Sequence, residues 1–445
     1  MINVSSKIKK AFQNDSMPKY WFVSFPNIDI EMSGFNLLTD TELVEDSIKI
    51  TENLNTEEQL HFGKCEGNIF EFEMQYSSYS LTGEIIDVYL ILGDYTDEPF
   101  TVGRYIITDE KISNDRLTKS ITAYDILAVL NDMDVTYWYY TEISYPITIK
   151  EMRDSLFEYV GQEQLEMELC NDNIVLSKDP LENEIDITFN KVMSAICEWN
   201  AAFGGIDREG KFKYYSLTAT DNEETYPSKG LYPSAETFPK SIKGKNYFVD
   251  PHLIKDDIQW ENYYCKPIDI IQVRNSSGAP VLDYTIPNAS GNTNIYVIQS
   301  NFITDAMDTN ALLSATENFA RQVYKISYTP CTANVKMDLS YEVGDPITLT
   351  TTNGTRINTF ILKRTATGGI SAFDEIEAIG NEEYENEIVS GDDSYDEIYE
   401  ELDDLNDRVS DIETDGGITI ESVRSLPEAP KKNVLYLIQG TVYVN

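Results

Sequence analysis

Basic residues are scarce in this sequence: 34 Lys and Arg stand against 76 Asp and Glu, for a formal net charge of −42. A surface that grips nucleic acid needs clustered cations to displace counterions from phosphates. The one basic cluster is Lys7, Lys9 and Lys10, so stable nucleic-acid binding is excluded as the main task. The same imbalance argues against anchoring on anionic lipid. Histidine is rarer still, with only His61 and His252. Neither lies in HExxH or another metal-ligand spacing. GxSxG, P-loop and GxGxxG motifs are missing as well, and "DDSYDE" does not match the twelve-residue EF-hand loop. No cofactor and no metal is expected. Carboxylate pairs such as Asp186 and Glu198 are unavoidable among 76 acids, so their spacing alone carries no glycosidase signal.

Cysteine is sparse and unpaired. Cys65, Cys170, Cys197, Cys265 and Cys331 are odd in number and far apart, which excludes a zinc or redox motif and predicts buried free thiols in a reducing compartment. No apolar run approaches the ~18 residues of a membrane span. "MINVSSKIKKAFQNDSMPKYWFVSF" has no apolar core before Trp21, so a secretion signal is not expected and the chain is read as made and folded in a cytoplasm.

The 445 residues allow about three domains at the usual ~100–200 residues each. A hydrophobic content of 41%, with 29 Tyr and 18 Phe, is that of a globular protein able to bury ordinary cores.

The first third reads as β. Phe70-Glu71-Phe72-Glu73-Met74-Gln75-Tyr76 alternates strictly, predicting a strand with one wet face. Val88 to Leu92 is a continuous apolar run, as for a strand covered on both faces. "FTVGRYIIT" adds another strand, and Thr122 is read as capping a short helix that carries Ile126, Leu127 and Leu130. Short strands between polar turns suggest a barrel or sandwich. The aromatic cluster Tyr137-Trp138-Tyr139-Tyr140 reads as a strand packed at an interdomain seam, with stacking on sugar rings as the sharper alternative.

Composition shifts near Tyr145-Pro146. Thr148-Ile149-Lys150-Glu151 is a capping box opening a helix that buries Met152, Leu156 and Val160 and stops at Gly161. A second helix spans about 190–202, with Val192, Ile196 and Trp199 inward and Gly204-Gly205 after it. "IDREGKFKYY" is a hairpin turning at Arg208-Glu209-Gly210. "YPSKGLYPSAETFPK" reads as a loop. Strands then resume in "DIIQVRN", "NIYVIQS", "PITLTTT" and "NTFILKR". A helix from about 308 to 325 interrupts them, with Leu312, Phe319 and Val323 inward. Two segments echo each other: Val102-Gly103 precedes Ile121-Thr122-Ala123-Tyr124-Asp125, and Val343-Gly344 precedes Ile370-Ser371-Ala372-Phe373-Asp374. The echo suggests two related β domains.

From Glu382 to Asp415 there are 16 acidic residues and one base, Arg408. Tyr395, Ile398, Leu402, Leu405, Val409 and Ile412 recur at spacings of 3 and 4, the a/d stripe of a short coiled coil, and Arg408 and Glu413 can pair between helices. So short and acidic a coil is marginal alone. It fits a chain whose large domains already hold the helices together, so that the coil extends an assembly rather than creating it. "NVLYLIQGTVYVN" is a terminal hairpin, Val434 to Ile438 and Thr441 to Val444, turning at Gln439-Gly440. An isolated two-stranded hairpin is marginal, so a trimeric bundle or a docked partner is expected to cover it.

Over roughly residues 1–385 the sequence resembles the hub proteins at the tips of phage tails, a family that includes baseplate hubs of contractile tails. The stretches that carry the resemblance are "VEDSIKITENLNTEEQLHFGKCEGNIFEFEM", "EPFTVGRYIITDEKISNDRLTKSITAYDIL" and "VMSAICEWNAAFGGIDREGKFKYYSL". It implies a mainly β fold with an α+β insertion. Residues 1–145 and 256–385 would be two related β-barrel hub domains flanking the α+β domain at 146–255. An acidic linker and trimeric coiled coil at 386–415 and a small β module at 416–445 would follow. It further implies a homotrimeric ring joining the tail tube to the distal tip. The implied partners are the distal tail or tube protein, a tape-measure protein and a tip fibre or receptor-binding protein. DNA would be met only in transit through an acidic bore that repels phosphates, without stable membrane insertion. Many relatives carry a peptidoglycan-cleaving extension. This sequence departs there, so no enzyme is expected. The rival readings are a tail-associated cell-wall hydrolase and a glycan- or receptor-binding tail protein.

Overall fold

The computed structural model describes residues 6–12, 14, 17–29, 35–39, 41–44, 46–55, 57–93, 99–182, 184–217, 247–249, 253–254, 256, 258–287, 294–369, 372–384, 419–422, 434–438 and 441–444. They belong to two compact units, Met1–Asn386 and Glu387–Asn445.

In the first unit the opening third folds, after a helix Ser6–Phe12, into β1 (Lys19–Ser24), β2 (Leu37–Leu38), β3 (Lys49–Asn53), β4 (Ile69–Gln75), β5 (Ile85–Leu92), β6 (Phe100–Ile112) and β7 (Thr118–Tyr124). β4 shows why. Phe70, Phe72 and Met74 are buried while Ile69, Glu71 and Glu73 are only half-buried, which is the period-two pattern of a strand with one face on a core. β5 departs from the expectation of two covered faces. Ile86, Val88 and Leu90 are buried, Asp87 and Tyr89 half-buried, and only its last residues are covered on both sides. The short helix Ile126–Asn131 is capped by Asp125, not Thr122: the Asp125 carboxylate accepts from Leu127 N, while Thr122 lies inside β7. A carboxylate just outside the first turn satisfies amide donors that Thr122, three residues earlier, cannot reach.

The middle region begins with β8 (Ile147–Thr148) paired to β9 (Val175–Leu176). The expected capping box is formed. Thr148 Oγ1 accepts from Glu151 N at 3.1 Å, and Thr148 N donates to Glu151 Oε2 at 2.9 Å. The helix Ile149–Val160 ends at Gly161, whose φ of 69° suits a residue without a Cβ. The helix Phe189–Trp199 buries Val192, Ile196 and Trp199. Its end is made by Asn200 and by Ala201 at φ 50°. Gly204-Gly205, read from sequence as following the helix end, lies inside β10 (Phe203–Ile206). That strand forms the expected hairpin with β11 (Phe212–Tyr215). The region closes with β12 (Tyr247–Val249).

The last part of this unit contains β13 (Gln259–Trp260), β14 (Ile270–Arg274), β15 (Pro280–Thr285), β16 (Ile295–Ile298), β17 (Cys331–Lys336), β18 (Pro346–Thr350), β19 (Arg356–Phe360), β20 (Lys363–Thr367) and β21 (Phe373–Ala378). Helices Phe302–Ala306 and Thr309–Val323 lie between β16 and β17. The second of these is capped by Asp308 and buries Leu312, Phe319 and Val323, as the sequence pattern predicts.

The expectation of two β-barrels is corrected by the sheet topology. One eleven-stranded sheet runs in the order β13-β17-β21-β20-β3-β4-β7-β6-β5-β1-β2, and no closed barrel occurs among the described residues. Closing a barrel within the first part of the chain would need β3 to pair with one of its own neighbours on both edges. β20 takes the outer edge instead, with Lys363 to Thr367 antiparallel to Lys49 to Asn53. Two smaller three-stranded sheets, β15-β14-β16 and β12-β18-β19, accompany it. The echoing segments do not occupy matching places: Ile121 to Tyr124 lies in β7, whereas Phe373 and Asp374 open β21. Ile370 and Ser371 lie outside the described residues.

Two hydrophobic cores result. One lies among β1 to β7, with Phe12, Trp21, Phe70 and Phe72, and takes in Met337, Leu339 and Ala366 from the far end of the chain. The other gathers the helices of the middle and last regions around Trp138, Trp199, Phe189 and Phe319.

The second unit contains β22 (Thr419–Ser422), β23 (Val434–Ile438) and β24 (Thr441–Val444). The expected hairpin strands are β23 and β24. A third strand, β22, joins β23 in parallel, which the sequence reading left unassigned. The turn at Gln439-Gly440, the loop at 226–240 and the whole a/d stripe, Tyr395, Ile398, Leu402, Leu405, Val409 and Ile412 with Arg408 and Glu413, lie outside the described residues.

Candidate functional site

The residues that sequence reading weighed for chemistry are dispersed. The His61 side chain is 46% exposed, with Nε2 3.8 Å from Glu57 Oε2. Its pKa is lowered, burial being the largest cause and Glu57 opposing it. His252 lies outside the described residues. Asp186 is exposed ahead of the helix Phe189–Trp199. Glu198, near that helix's end, accepts from Asn301 Nδ2 at 2.7 Å, and burial pushes its carboxyl up to about 7. Among the described residues no three His, Cys, Asp or Glu side chains are grouped to hold a metal, and no helix is long and apolar enough to cross a membrane.

The aromatic cluster is a helix, Thr136–Thr141, rather than the expected strand. Val135, Trp138 and Tyr139 fall at i, i+3 and i+4, one face of a helix, and all are buried. Trp138 Nε1 donates to Ser155 Oγ at 3.0 Å, and the Tyr139 hydroxyl donates to Asp179 Oδ1 at 2.7 Å. Only Tyr137 and Tyr140 reach the surface. Tyr137 is 70% exposed, and Ile185, on the segment held to Thr136 by its hydroxyl, is 77% exposed.

Among the described residues, buried charges gather in a seam that sequence reading missed. Arg364 in β20 is 1% exposed. Its Nη2 donates to Asp374 Oδ2 at 3.1 Å and to the Asp338 carbonyl, and its Nη1 donates to the Tyr341 carbonyl at 2.7 Å and to Glu52 Oε2 at 3.4 Å. Glu52 stands opposite Arg364 across the β3–β20 pairing. Asp374 Oδ2 also accepts from Asp338 N, and Asp338 Oδ1 accepts from Ser340 N and Oγ. Burial pushes the Asp374 carboxyl up to about 6 even though Arg364 pulls it down. The β10–β11 hairpin reaches the same seam: Arg208 donates to the Leu339 carbonyl and stacks 4.6 Å over the Phe100 ring, and Lys213 meets Glu342 at 2.6 Å. Three stretches far apart in sequence are thus tied by buried charge. This arrangement sets geometry and has no exposed reactive group. Its only sequence signal is an Arg within "KRTAT", which strand patterning alone cannot separate from a surface residue.

Three carboxyls, Asp125 and Glu198 at about 7 and Asp374 at about 6, are raised chiefly by burial. An acid whose folded pKa exceeds its unfolded value holds its proton better when folded. Its stabilising contribution is present below the unfolded pKa near 4 and is lost as pH rises through 6 to 7. Between pH about 4 and its folded pKa each group lowers stability by at most about 1.4 kcal/mol per pH unit. Urea midpoints are expected to fall from pH 5 to pH 8. Glu198→Gln is expected to flatten that fall, which separates this carboxyl from general repulsion among 76 acids.

No protein-family model matches the sequence, and no curated protein does. Among solved structures the chain is similar to a tail protein from Neisseria meningitidis, at 12% identity and TM-score 0.45 over 82% of this chain and 98% of that one. It is also similar to a prophage tail protein from Shewanella oneidensis, at 10% identity and TM-score 0.47 over 82% and 98%. A prophage tail protein from Listeria monocytogenes gives 12% identity and TM-score 0.45 over 86% and 100%. At these identities and scores neither fold nor residue role passes from them to this chain.

Proposed function

We propose that this chain is a structural hub at the tip of a phage tail or a phage-derived injection particle. Three copies form a ring that joins the tail tube to the distal tip or fibre. The acidic surface lines the passage for DNA during genome ejection, and the C-terminal module faces the host or a tip fibre during attachment. Other tail components, namely a distal tail or tube protein, a tape-measure protein and a receptor-binding protein, are the partners. The observation that carries the reading is the division into a large body, Met1–Asn386, and a small separate β unit, Glu387–Asn445. The acidic a/d stripe of Tyr395 to Ile412 lies near the start of the second unit. A body that assembles and a short helix that follows the assembly axis need that order along the chain. The resemblance over residues 1–385 supports the same assignment.

Native mass spectrometry tests it. The full-length protein is expected at three times its 50.6 kDa. A chain ending at Gly391 is expected to keep its fold and to dissociate at concentrations at least ~10-fold higher, because the linked helices no longer add effective concentration. A full-length protein that stays monomeric at tens of micromolar in both low and high salt removes the trimer. A second reading, contact with a glycan or receptor, is favoured by the exposed neighbours Tyr137 and Ile185.

A further inference from the structure

Cys65 and Cys197 are 132 residues apart in sequence, yet their sulfurs lie 3.9 Å from each other. Both are buried and both are free thiols. The backbone beneath each is held. Gly63 N donates to the Ala202 carbonyl and Gly204 N to the Lys64 carbonyl, each at 2.9 Å, which fixes the 63–65 segment against the start of β10. Cys197 is one of the last residues of the helix Phe189–Trp199, just upstream in sequence. Gly204 supplies the space: a Cβ there would stand 2.5 Å from Cys65 Sγ. A disulfide needs its sulfurs at about 2.05 Å. Closure therefore requires the two sulfurs to move together from 3.9 Å. Cys170 lacks this arrangement and faces Asn200 Oδ1 instead, at 3.7 Å.

We propose that Cys65 and Cys197 form a latent disulfide, a dithiol that closes when the protein meets a small-molecule disulfide oxidant. The Cys65 thiolate attacks one sulfur of oxidised glutathione and releases one glutathione thiolate. The Cys197 thiolate then attacks the Cys65 sulfur of the mixed disulfide and releases the second. The two protein thiols lose two protons and two electrons, and one glutathione disulfide becomes two glutathione thiols. Burial holds the Cys197 thiol well above its ordinary value, so closure is slow at neutral pH and faster in mild alkali. The bond would pin the first part of the chain to the helical middle region. Its biological occasion, assembly in a reducing cytoplasm followed by exposure outside the cell, rests on the tail reading; its chemistry does not.

Full-length protein is incubated with oxidised glutathione at pH 8.5, then denatured, and its thiols are counted. The five thiols should fall to three, with a mass loss of about 2 Da and a Cys65–Cys197 cross-linked peptide in a non-reducing digest. Cys65→Ala should abolish the mass loss, as should Cys197→Ser if the first variant folds poorly. Gly204→Ala should slow closure at least tenfold by displacing the Cys65 sulfur. Five remaining thiols, a stable glutathione adduct, or a cross-link through any other pair overturns the proposal. These outcomes are independent of whether the protein is a trimer.

Discussion

Arg364→Ala is expected to lower the unfolding free energy of the body by about 3–5 kcal/mol, the range for removing one partner from a buried ion pair. The loss has an identifiable source. Without the guanidinium, Asp374 at about 1% side-chain exposure and Glu52 at 17% face each other's charge without a counterion. The Tyr341 and Asp338 carbonyls lose a donor as well. The effect should depend on pH with a definite sign. Asp374 already titrates near 6 in the presence of Arg364. Removing the cation raises its pKa further, so the variant recovers part of its stability at pH 5 and is worst at pH 8. Arg364→Met combined with Asp374→Asn should cost less than the two single changes added together, because the double variant no longer leaves the Asp374 charge buried without its counterion. Urea denaturation at both pH values measures all of this. A loss below about 1 kcal/mol for Arg364→Ala, typical of exposed pairs, would show that water reaches the seam.

Trp138→Ala is expected to destabilise the protein by about 3–5 kcal/mol, the range for truncating a fully buried aromatic, whereas Tyr137→Ala should lie within about 0.5 kcal/mol of the parent. The two residues are adjacent, but Trp138 has 0% exposure and Tyr137 70%. The pair separates structure from recognition. A Trp138→Ala particle that fails to adsorb to cells reports a damaged fold, because the indole is not at the surface. A Tyr137→Ala particle that keeps its melting profile and loses adsorption would give the glycan or receptor reading its footing. If both bind normally, that surface is not a recognition site.

Much of the local structure was legible in the residues. The capping box at Thr148 to Glu151, the stop at Gly161, the alternating strand at Ile69–Gln75 and the amphipathic helix at Thr309–Val323 each depend on neighbours within one or two turns, so side-chain type and spacing suffice. The helix at Thr136–Thr141 was legible too. Its signal is the Val135, Trp138, Tyr139 spacing, which the strand reading of the cluster did not use. Asp125 was missed as a cap because Thr122 also suits that role, and only the register of β7 shows that Thr122 is still in the strand. The seam was not legible. Glu52 and Arg364 are 312 residues apart, and either alone reads as a solvated charge.

The sequence by itself determined the strands of the first third, both ends of the helix at Ile149–Val160, the acidic character and the scarcity of groups suited to catalysis, because these follow from composition and short-range spacing. Only the tertiary structure decided that β20 pairs with β3, so that one open sheet spans parts of the chain that read as two closed barrels. It alone placed Arg364, Asp374 and Glu52 in a common buried network and set Cys65 beside Cys197. Strand edges carry the same backbone donors and acceptors whatever their side chains, so which edge meets which is settled by the packing of the whole chain.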